Sequence, residues 1–432
     1  MEEIITYLIQ FMLGEQIPAE TSRLIAYTSD RTQFHSYKIV IIPSGFFDAN
    51  SYGKASSMPK LPVRQIDDIP FLFGEPRVEQ QEDTLVVHAD LVASAFFLLS
   101  RYEEIVRRDV RDIHGRFPGR ESLPYRAGFI HRPIVDEYGQ LLRKWLSLCG
   151  IQTKEPTGTI RHCYFTHDVD APFAYRTWRN MARGLFREGK TLAYLLRTKF
   201  SVPENDPFYT FPWLLERDAC ARKRIGEEKS SIYLFFKAGG TAPQDKPGYD
   251  LRNKNIQDIH QLLTKYGGKT GLHSSYEAGK KPTLIPVEKK RLEEATGQEV
   301  TANRHHFLAL REPEDMDTLE KSGITDDFTM GYADIAGFRL GTSRPVHWID
   351  ATSKRLSPLL LHPLTVMDNT LSESHYMGLS FDAAQEYCFR LTDAVKKANG
   401  ELVLLWHNSS AMEGTGYHKM LYENLLSYIE NG

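Results

Sequence analysis

Four short segments carry carboxylate, histidine or arginine side chains at spacings that suit hydrolytic chemistry. Each segment stands at the end of an apolar, strand-like run. In a parallel α/β barrel the C-terminal ends of the strands converge on one rim, so side chains distant in sequence can surround one pocket. The segments are 166–170 (THDVD), 271–277 (GLHSSYE), 303–307 (NRHHF) and 404–408 (LLWHN).

The first segment offers two carboxylates, Asp168 and Asp170, directly after a predicted strand. One carboxylate can bind a divalent cation while the other accepts a proton from water activated by that cation. The alternative interpretation is an Asp pair that caps a following helix near Ala171 and Pro172.

The second segment places His273 four residues before Glu277. With an Asp from another strand end, they would form a metal site of two carboxylates and one histidine, leaving positions open for water and substrate. Alternatively, His273 is an interior histidine with satisfied hydrogen bonds, and Glu277 is a solvated loop residue.

The third and fourth segments contribute Arg304 and His407. An arginine at a strand end can orient an anionic base or bind a substrate carboxylate, although a structural ion pair is equally compatible with its position. His407 follows an apolar strand and could protonate a leaving amine or alkoxide near neutral pH. Its alternative role is that of a core histidine at a sheet edge.

The elements that must position these residues alternate between strands and helices from about residue 159 onward. This pattern predicts a parallel sheet or barrel covered by helices. The predicted strands are 162–166, 231–236, 271–274, 300–304, 337–340, 359–364 and 402–406. The predicted helices between them are 255–266, 287–295, 314–321 and 381–398.

The preceding part of the chain is predicted to be a smaller α+β domain. Strands are expected at 38–43 and 84–88, and helices at 91–107 and 138–146. A polar stretch around Pro156 and Gly158 separates it from the second half. We therefore predict a domain at 1–155, of unknown role, and a barrel domain at 156–432.

Taken in order, the four segments resemble the motifs of the polysaccharide deacetylase superfamily, the family 4 carbohydrate esterases, over residues 159–432. They are most similar to a bacterial subgroup with an extra N-terminal domain. The resemblance implies a distorted (β/α)7 barrel preceded by the α+β domain. Further stretches similar to that subgroup are 331–334, 337–342 and 366–368.

The same resemblance assigns roles to individual residues. Asp168 would be the catalytic base, Arg304 would brace it, and His407 would be the catalytic acid. Asp170 and His273 would bind the metal. The family's second metal-binding histidine is replaced here by Glu277, so the implied metal set is Asp170, His273 and Glu277. Zinc is the expected ion, with manganese, iron, cobalt or magnesium as alternatives, since a carboxylate makes the donor set harder and more anionic.

The composition of the chain limits the classes of partner and the cellular location that we expect. The 432 residues carry 53 basic and 56 acidic side chains, for a net charge of −3, which disfavours nucleic acid bound by bulk electrostatics. No stretch is long and apolar enough to span a membrane, and the acidic N-terminus is unlike a secretory signal. The four cysteines lie far apart, which is typical of reduced thiols. A cytoplasmic location is therefore expected, and the oligomeric state stays open.

Three functional hypotheses follow. The first is a metal-dependent hydrolase that removes an acetyl group from an N-acetylated sugar or a related amide. The second is a catalytically inactive barrel that binds carbohydrate or assists assembly in surface-polysaccharide production, for which Glu277 is the sequence feature. The third is a hydrolase of another non-peptide C–N bond.

Overall fold

The computed structural model describes residues 1–14, 16–412, 414 and 416–431. The strands are β1 Ile25–Tyr27, β2 Ile39–Ile41, β3 Arg64–Ile66, β4 Ile69–Phe71, β5 Gly74–Gln81, β6 Thr84–Ala89, β7 His162–Val169, β8 Ser230–Phe236, β9 Lys269–Ser274, β10 Ala302–His305, β11 Asp326–Met330, β12 Val346–Asp350, β13 Arg355–Met367 and β14 Glu401–Leu405.

The helices alternate with these strands most regularly in the second half of the chain. They are α1 Glu2–Leu13, α2 Ala19–Ser22, α3 Leu91–Leu99, α4 Tyr102–Val106, α5 Leu123–Arg126, α6 Ile134–Leu148, α7 Trp178–Arg187, α8 Leu192–Phe200, α9 Phe211–Ile225, α10 Lys254–Lys265, α11 Ile285–Thr296, α12 Glu314–Lys321, α13 Asp368–Ser372, α14 Phe381–Ala398 and α15 Gly416–Glu430.

The largest sheet is a barrel. Its strands run in the order β11-β10-β9-β8-β7-β14-β13-β12, and an additional pairing of β11 with β13 closes seven of them. The pairs β7–β8, β8–β9, β9–β10 and β10–β11 are parallel, whereas β12 pairs antiparallel with β13. Strand β14 is buried along its whole length, as expected for a strand covered on both faces. The predicted seven-stranded (β/α) barrel is thus confirmed.

The N-terminal region contains a four-stranded sheet in the order β1-β2-β6-β5 and a separate hairpin of β3 and β4. β1, β2 and β6 are parallel, and β5 is antiparallel to β6. All nine residues of α3 are buried. The helix predicted at 91–107 is broken, because Arg101 has a positive φ of 51° between α3 and α4.

Two compact units can be distinguished. The first comprises residues 1–161, 330–365 and 393–401, and the second comprises 162–329, 366–392 and 402–432. The second unit holds all of the predicted site residues. The proposed domain boundary between residues 155 and 156 stays a prediction.

One strand prediction was wrong. Residues 337–340 form no strand, because Gly337 and Gly341 have φ values of 146° and 67°, outside the extended region. The barrel strand is β11 instead, whose first two residues are aspartates and disguise it as a loop.

Candidate active site

Strand ends of the barrel hold the predicted site residues. Asp168 is the penultimate residue of β7, and Asp170 follows that strand directly. His273 lies one residue before the end of β9, and Arg304 one residue before the end of β10. His407 comes two residues after β14. The structure therefore positions these side chains by strand geometry at the rim, as the sequence pattern predicts.

A cluster of three potential metal ligands forms at this rim. His273 Nε2 lies 3.1 Å from Asp170 Oδ1, and His306 Nε2 lies 3.3 Å from the same oxygen. One ligand atom from each of the three residues lies within 4.8 Å of the other two. Asp170 is partly exposed, and both histidines are buried. This arrangement has the spacing of a divalent-metal site with an open side.

The hydrogen bonds on the other ring nitrogens fix how both histidines face the cluster. His273 Nδ1 donates to the carbonyl oxygen of Arg304 at 2.8 Å, and His306 Nδ1 donates to Asp245 Oδ1 at 3.0 Å. In the neutral rings, both Nε2 atoms then carry lone pairs and point at a carboxylate oxygen. Two ring nitrogens and a carboxylate oxygen then converge on one point, and either a proton on His273 or a cation between the three atoms relieves their repulsion. The donor set therefore fits a metal.

The electrostatics of the cluster agree with this interpretation. Burial by itself would raise the pKa of Asp170, but His306, His273 and His407 hold that pKa well below its usual value. Burial lowers the pKa of His306, which favours the neutral form that binds metals. Burial would also lower the pKa of His273, but Asp168 and Asp170 raise it. The carboxylates thus attract positive charge to the cluster.

Glu277 is not brought into this cluster. Its Oε2 accepts hydrogen bonds from the Thr241 backbone N–H at 2.8 Å and hydroxyl at 2.6 Å, and its Oε1 pairs with Lys281 at 3.3 Å. Thr241 and Lys281 lower the pKa of Glu277 to about 2. The position of Glu277 as third ligand is taken by His306, whose Nε2 reaches Asp170 from the neighbouring strand end.

Asp168 is held by Arg304 in a buried ion pair. Arg304 Nη1 donates to Asp168 Oδ1 at 2.9 Å, and Nη2 donates to the Thr166 hydroxyl at 2.8 Å. The guanidinium group also packs over the Phe235 ring at 4.5 Å from its centroid. Oδ2 of Asp168 faces the cluster, 3.6 Å from His273 Nε2. One carboxylate oxygen is therefore fixed and the other faces the metal ligands.

His407 approaches the other carboxylate oxygen of Asp170, with Nε2 3.6 Å from Oδ2. Its backbone N–H and its Nδ1 donate to the buried Asp368, at 2.7 and 2.8 Å. Burial alone would lower the pKa of His407, but Asp368, Asp170 and Asp168 raise it to about 10. His407 is therefore oriented as a proton donor toward the rim.

Three residues of the site were not among the predicted residues: His306, Asp245 and Asp368. His306 directly follows a strand and lies within the segment 303–307 already chosen for Arg304, so its position was a usable signal. Asp368 likewise follows β13 directly. Asp245 is the last residue of a short 3-10 helix, Pro243–Asp245, and no spacing pattern in the sequence marks it.

Two neighbouring histidines point away from the cluster. His167 bonds the Trp406 carbonyl and Asp218, both at 2.7 Å. His305 contacts the Asn303 amide at 3.1 Å and lies 3.7 Å from Asp315. Successive strand residues face opposite sides of the sheet, which explains why only alternate residues reach the site.

Comparisons with known proteins cover the two halves differently. Residues 1–149 match a family model described as a family of unknown function, DUF7033. No curated protein matches the chain.

Three solved structures are similar to the chain. A presumed polysaccharide deacetylase from Mycobacterium smegmatis is 14% identical over 64% of this chain and 86% of its own, with a TM-score of 0.40. A family 4 carbohydrate esterase from Streptomyces lividans in complex with acetate is 10% identical over 64% and 90%, with a TM-score of 0.31. A mutant of a pseudoenzyme of the same family, with restored enzymatic activity, is 9% identical over 64% of each chain, with a TM-score of 0.31.

Proposed function

We propose that the chain is a metal-dependent hydrolase that removes an acetyl group from an N-acetylated sugar or a related amide. One observation carries the proposal. A braced carboxylate, Asp168, and a histidine paired with a carboxylate, His407, both lie within 3.6 Å of a cluster of three metal donors. This arrangement supports the proposal, because a base, an acid and a metal site at one rim are what the hydrolysis requires.

Asp170, His273 and His306 are the residues that would hold the metal. Two imidazole nitrogens and one carboxylate oxygen form a donor set common at catalytic zinc sites, with manganese, iron, cobalt or magnesium as alternatives. Lewis acidity, which polarises a carbonyl and lowers the pKa of water, is the chemistry that a divalent ion supplies at such a site.

Asp168 is proposed as the base. Arg304 occupies Oδ1, so Oδ2 is the oxygen that accepts a proton from the attacking water. Because Arg304 is fully buried and also bonds Thr166 and the Phe328 carbonyl, it holds Asp168 in one orientation. The water oxygen then forms the new bond to the acetyl carbon.

His407 is proposed as the acid. Its Nδ1 proton is engaged by Asp368, so the proton on Nε2 is the one available for transfer. Transfer of this proton to the nitrogen accompanies cleavage of the C–N bond and releases a neutral amine. The products are the free amine and acetic acid, which ionises to acetate. Asp168 has then gained one proton from water and His407 has lost one, so transfer of a proton from Asp168 to His407 through solvent restores both residues for the next turnover.

The position of His306 bears on the competing hypothesis of an inactive barrel. That hypothesis relied on Glu277 in place of a histidine, and His306 provides a third donor beside Asp170 without Glu277. Hydrolysis of another non-peptide C–N bond uses the same residues and differs only in substrate, so it is separated by substrate screening.

The test measures acetate release from N-acetylglucosamine oligomers and small N-acetylated amides, together with metal content. We expect about one divalent ion per chain and acetate release by the wild type. Asp168→Asn should lower kcat by roughly 10²- to 10⁴-fold with metal content unchanged. Wild-type rates for Asp168→Asn would contradict the assignment of the base. A metal-loaded wild type that releases ammonia or another amine product, but no acetate, would favour the third hypothesis.

A further inference from the structure

Exposed hydrophobic side chains are concentrated in one short stretch of the second unit. Of the fifteen large hydrophobic residues that are exposed among the described residues, seven lie between residues 178 and 202. They are Trp178, Phe186, Leu192, Tyr194, Leu196, Phe200 and Val202. Scattered exposed hydrophobics are ordinary, whereas a contiguous group of this size marks an interaction surface.

The two helices of this stretch, α7 and α8, each carry an apolar stripe on the exposed side. On α7 the stripe is Trp178, Ala182 and Phe186, and all three are exposed. On α8 it is Leu192, Leu196 and Phe200, also exposed. Residues spaced by four lie on one face of a helix. We call α7, α8 and their connection, residues 178–200, the helical hairpin.

The two stripes lie side by side. The rings of Trp178 and Phe200 are in edge contact, with 6.1 Å between their centroids. Lys199 Nζ lies 4.5 Å from the Trp178 ring centroid and 5.7 Å from that of Phe200. The first residue of one stripe thus meets the last residue of the other, which joins them into one apolar face.

This apolar face is separate from the hydrophobic core of the hairpin. The inner sides of α7 and α8 bury Met181 and Leu195 against Tyr175 and Ala174. A Cβ at Gly184 would come within 2.9 Å of Leu195, which shows how closely the helices approach. The helices are therefore packed by other residues, and the outer stripes are available to a partner.

The charge around the face is strongly positive. Residues 171–203 contain seven basic residues and one acidic residue, Glu188, whereas the whole chain has a net charge of −3. The basic residues are Arg176, Arg179, Arg183, Arg187, Lys190, Arg197 and Lys199. Arg179, Arg183 and Arg187 repeat at the same spacing of four and form a basic row beside the α7 stripe.

We infer that the helical hairpin binds the surface of an anionic lipid bilayer. Helices with Trp, Phe and Leu on one side and Arg and Lys beside them lie in the interface of membranes that carry acidic lipids. At ten and nine residues, the helices are about 15 Å long and too short to cross a bilayer. Among the described residues no helix is long and apolar enough to span a membrane. The helical hairpin therefore lies on the membrane and inserts its apolar side chains into the membrane surface.

Charge complementarity favours lipid over an apolar protein groove. Within residues 171–203 the one acidic residue, Glu188, already pairs with Arg183 at 2.9 Å. A groove that buried the stripes alone would therefore leave Arg179 and Arg187 without an acidic residue of this stretch, whereas acidic lipid headgroups would neutralise them. Each basic residue close to an anionic membrane strengthens binding by roughly fivefold, from about 1 kcal/mol per residue. The inference is independent of the proposed hydrolase activity, because it uses none of the site residues.

The experiment uses the full chain and sedimentation with vesicles of phosphatidylglycerol and phosphatidylcholine, against pure phosphatidylcholine vesicles. We expect binding to the anionic vesicles at low salt and little binding to the neutral ones. The variants Phe186→Ser/Phe200→Ser and Arg179→Glu/Arg187→Glu should each weaken binding at least about tenfold. Binding should also weaken as salt is raised.

Matched control variants distinguish binding through the helical hairpin from nonspecific adsorption of exposed apolar or basic residues to vesicles. Ile113→Ser/Leu148→Ser removes two exposed apolar residues elsewhere, which are 93% and 71% exposed. Lys290→Glu/Arg291→Glu reverses two exposed charges on α11. Both double variants should bind the anionic vesicles as the wild type does.

Trp178 gives a second readout that reports the site directly. It is 66% exposed and is the most exposed of the five tryptophans. A blue shift of its emission on adding anionic vesicles, absent in Trp178→Phe, would support insertion of this face. Absence of wild-type binding, or equal loss of binding in the control variants, would overturn the inference. Lipid-free self-association that Phe186→Ser/Phe200→Ser abolishes would also overturn it, by assigning the face to a second copy of the chain.

Discussion

His306 provides the sharpest test of the candidate metal site, because sequence alone pointed to Glu277. We predict that His306→Ala abolishes tight binding of a divalent metal, whereas Glu277→Ala leaves metal affinity unchanged. The physical reason is position. His306 Nε2 is 3.3 Å from Asp170 Oδ1. In contrast, Glu277 Oε2 accepts a hydrogen bond from Thr241 and its Oε1 pairs with Lys281, so neither oxygen reaches the cluster.

The size of the effect follows from the contacts of His306. Its Nδ1 bonds the buried Asp245, an outer partner that fixes the ring. Removing such an outer partner lowers metal affinity by about 10- to 100-fold, or roughly 1.4 to 2.7 kcal/mol. Asp245→Asn should fall within that range. His306→Ala removes the donor atom itself, so its loss should be at least about 100-fold.

Zinc affinity is best measured by competition with a chromophoric chelator, on protein stripped of metal and reloaded. Thermal melts of each stripped protein report whether the substitution has damaged the fold. His375→Ala is a matched control, since His375 is an exposed histidine away from the cluster. It should bind zinc as the wild type does.

Two results would refute this reasoning. One is wild-type zinc affinity in His306→Ala with intact melting behaviour. The other is a large loss of affinity in Glu277→Ala, which would mean that Glu277 leaves Thr241 and Lys281 to bind the metal.

Three further predictions concern stability. Arg304→Met leaves Asp168 buried without its partner and should lower the free energy of unfolding by about 3 to 5 kcal/mol in urea denaturation; a loss below about 1 kcal/mol would contradict the buried ion pair. Burial raises the pKa of Asp315 to about 8, above its unfolded value, so its contribution to stability is complete below about pH 4 and is lost as pH rises through 8. Asp315→Asn should therefore gain in melting temperature relative to the wild type between pH 5 and pH 8, and parallel pH profiles would refute this. A metal that binds only the folded chain stabilises it by about 2.7 kcal/mol at 100 times its Kd, so chelation should lower the melting temperature of the wild type but not of His306→Ala.

The sequence predicted the barrel because its strands are apolar and its helices have clear periodicity. Helices α12 and α14 begin and end where the pattern predicts, at 314–321 and 381–398. Strand β11 was missed because it begins with Asp326 and Asp327. Asp327 is buried, and its carboxylate accepts hydrogen bonds from Asn303 and Thr329. Buried polar residues with partners elsewhere in the chain cannot be recognised from local composition.

The same limit applies to the site. Asp170 and His273 both stand at ends of apolar strands, and the structure places them 3.1 Å apart, whereas their role as metal ligands stays a prediction. Glu277 was chosen by its spacing from His273, yet the chain turns after β9 and directs it to Thr241. His306 lies two residues after the chosen Arg304, but only the structure shows that its ring returns to Asp170.

The two histidines of the cluster are anchored before any ion binds: His273 by two neighbouring strands that are hydrogen-bonded to each other, and His306 by its hydrogen bond to the buried Asp245. His273 and Arg304 are register partners of β9 and β10, and the Arg304 carbonyl holds the His273 ring. Rotational freedom of these ligands is thus lost when the barrel folds, before any ion arrives. Binding of a metal ion then requires little reorganisation of the protein, and its chief effect is to change the local charge. The apo and metal-loaded proteins should therefore share one backbone conformation and one pattern of amide-exchange protection along β9 and β10.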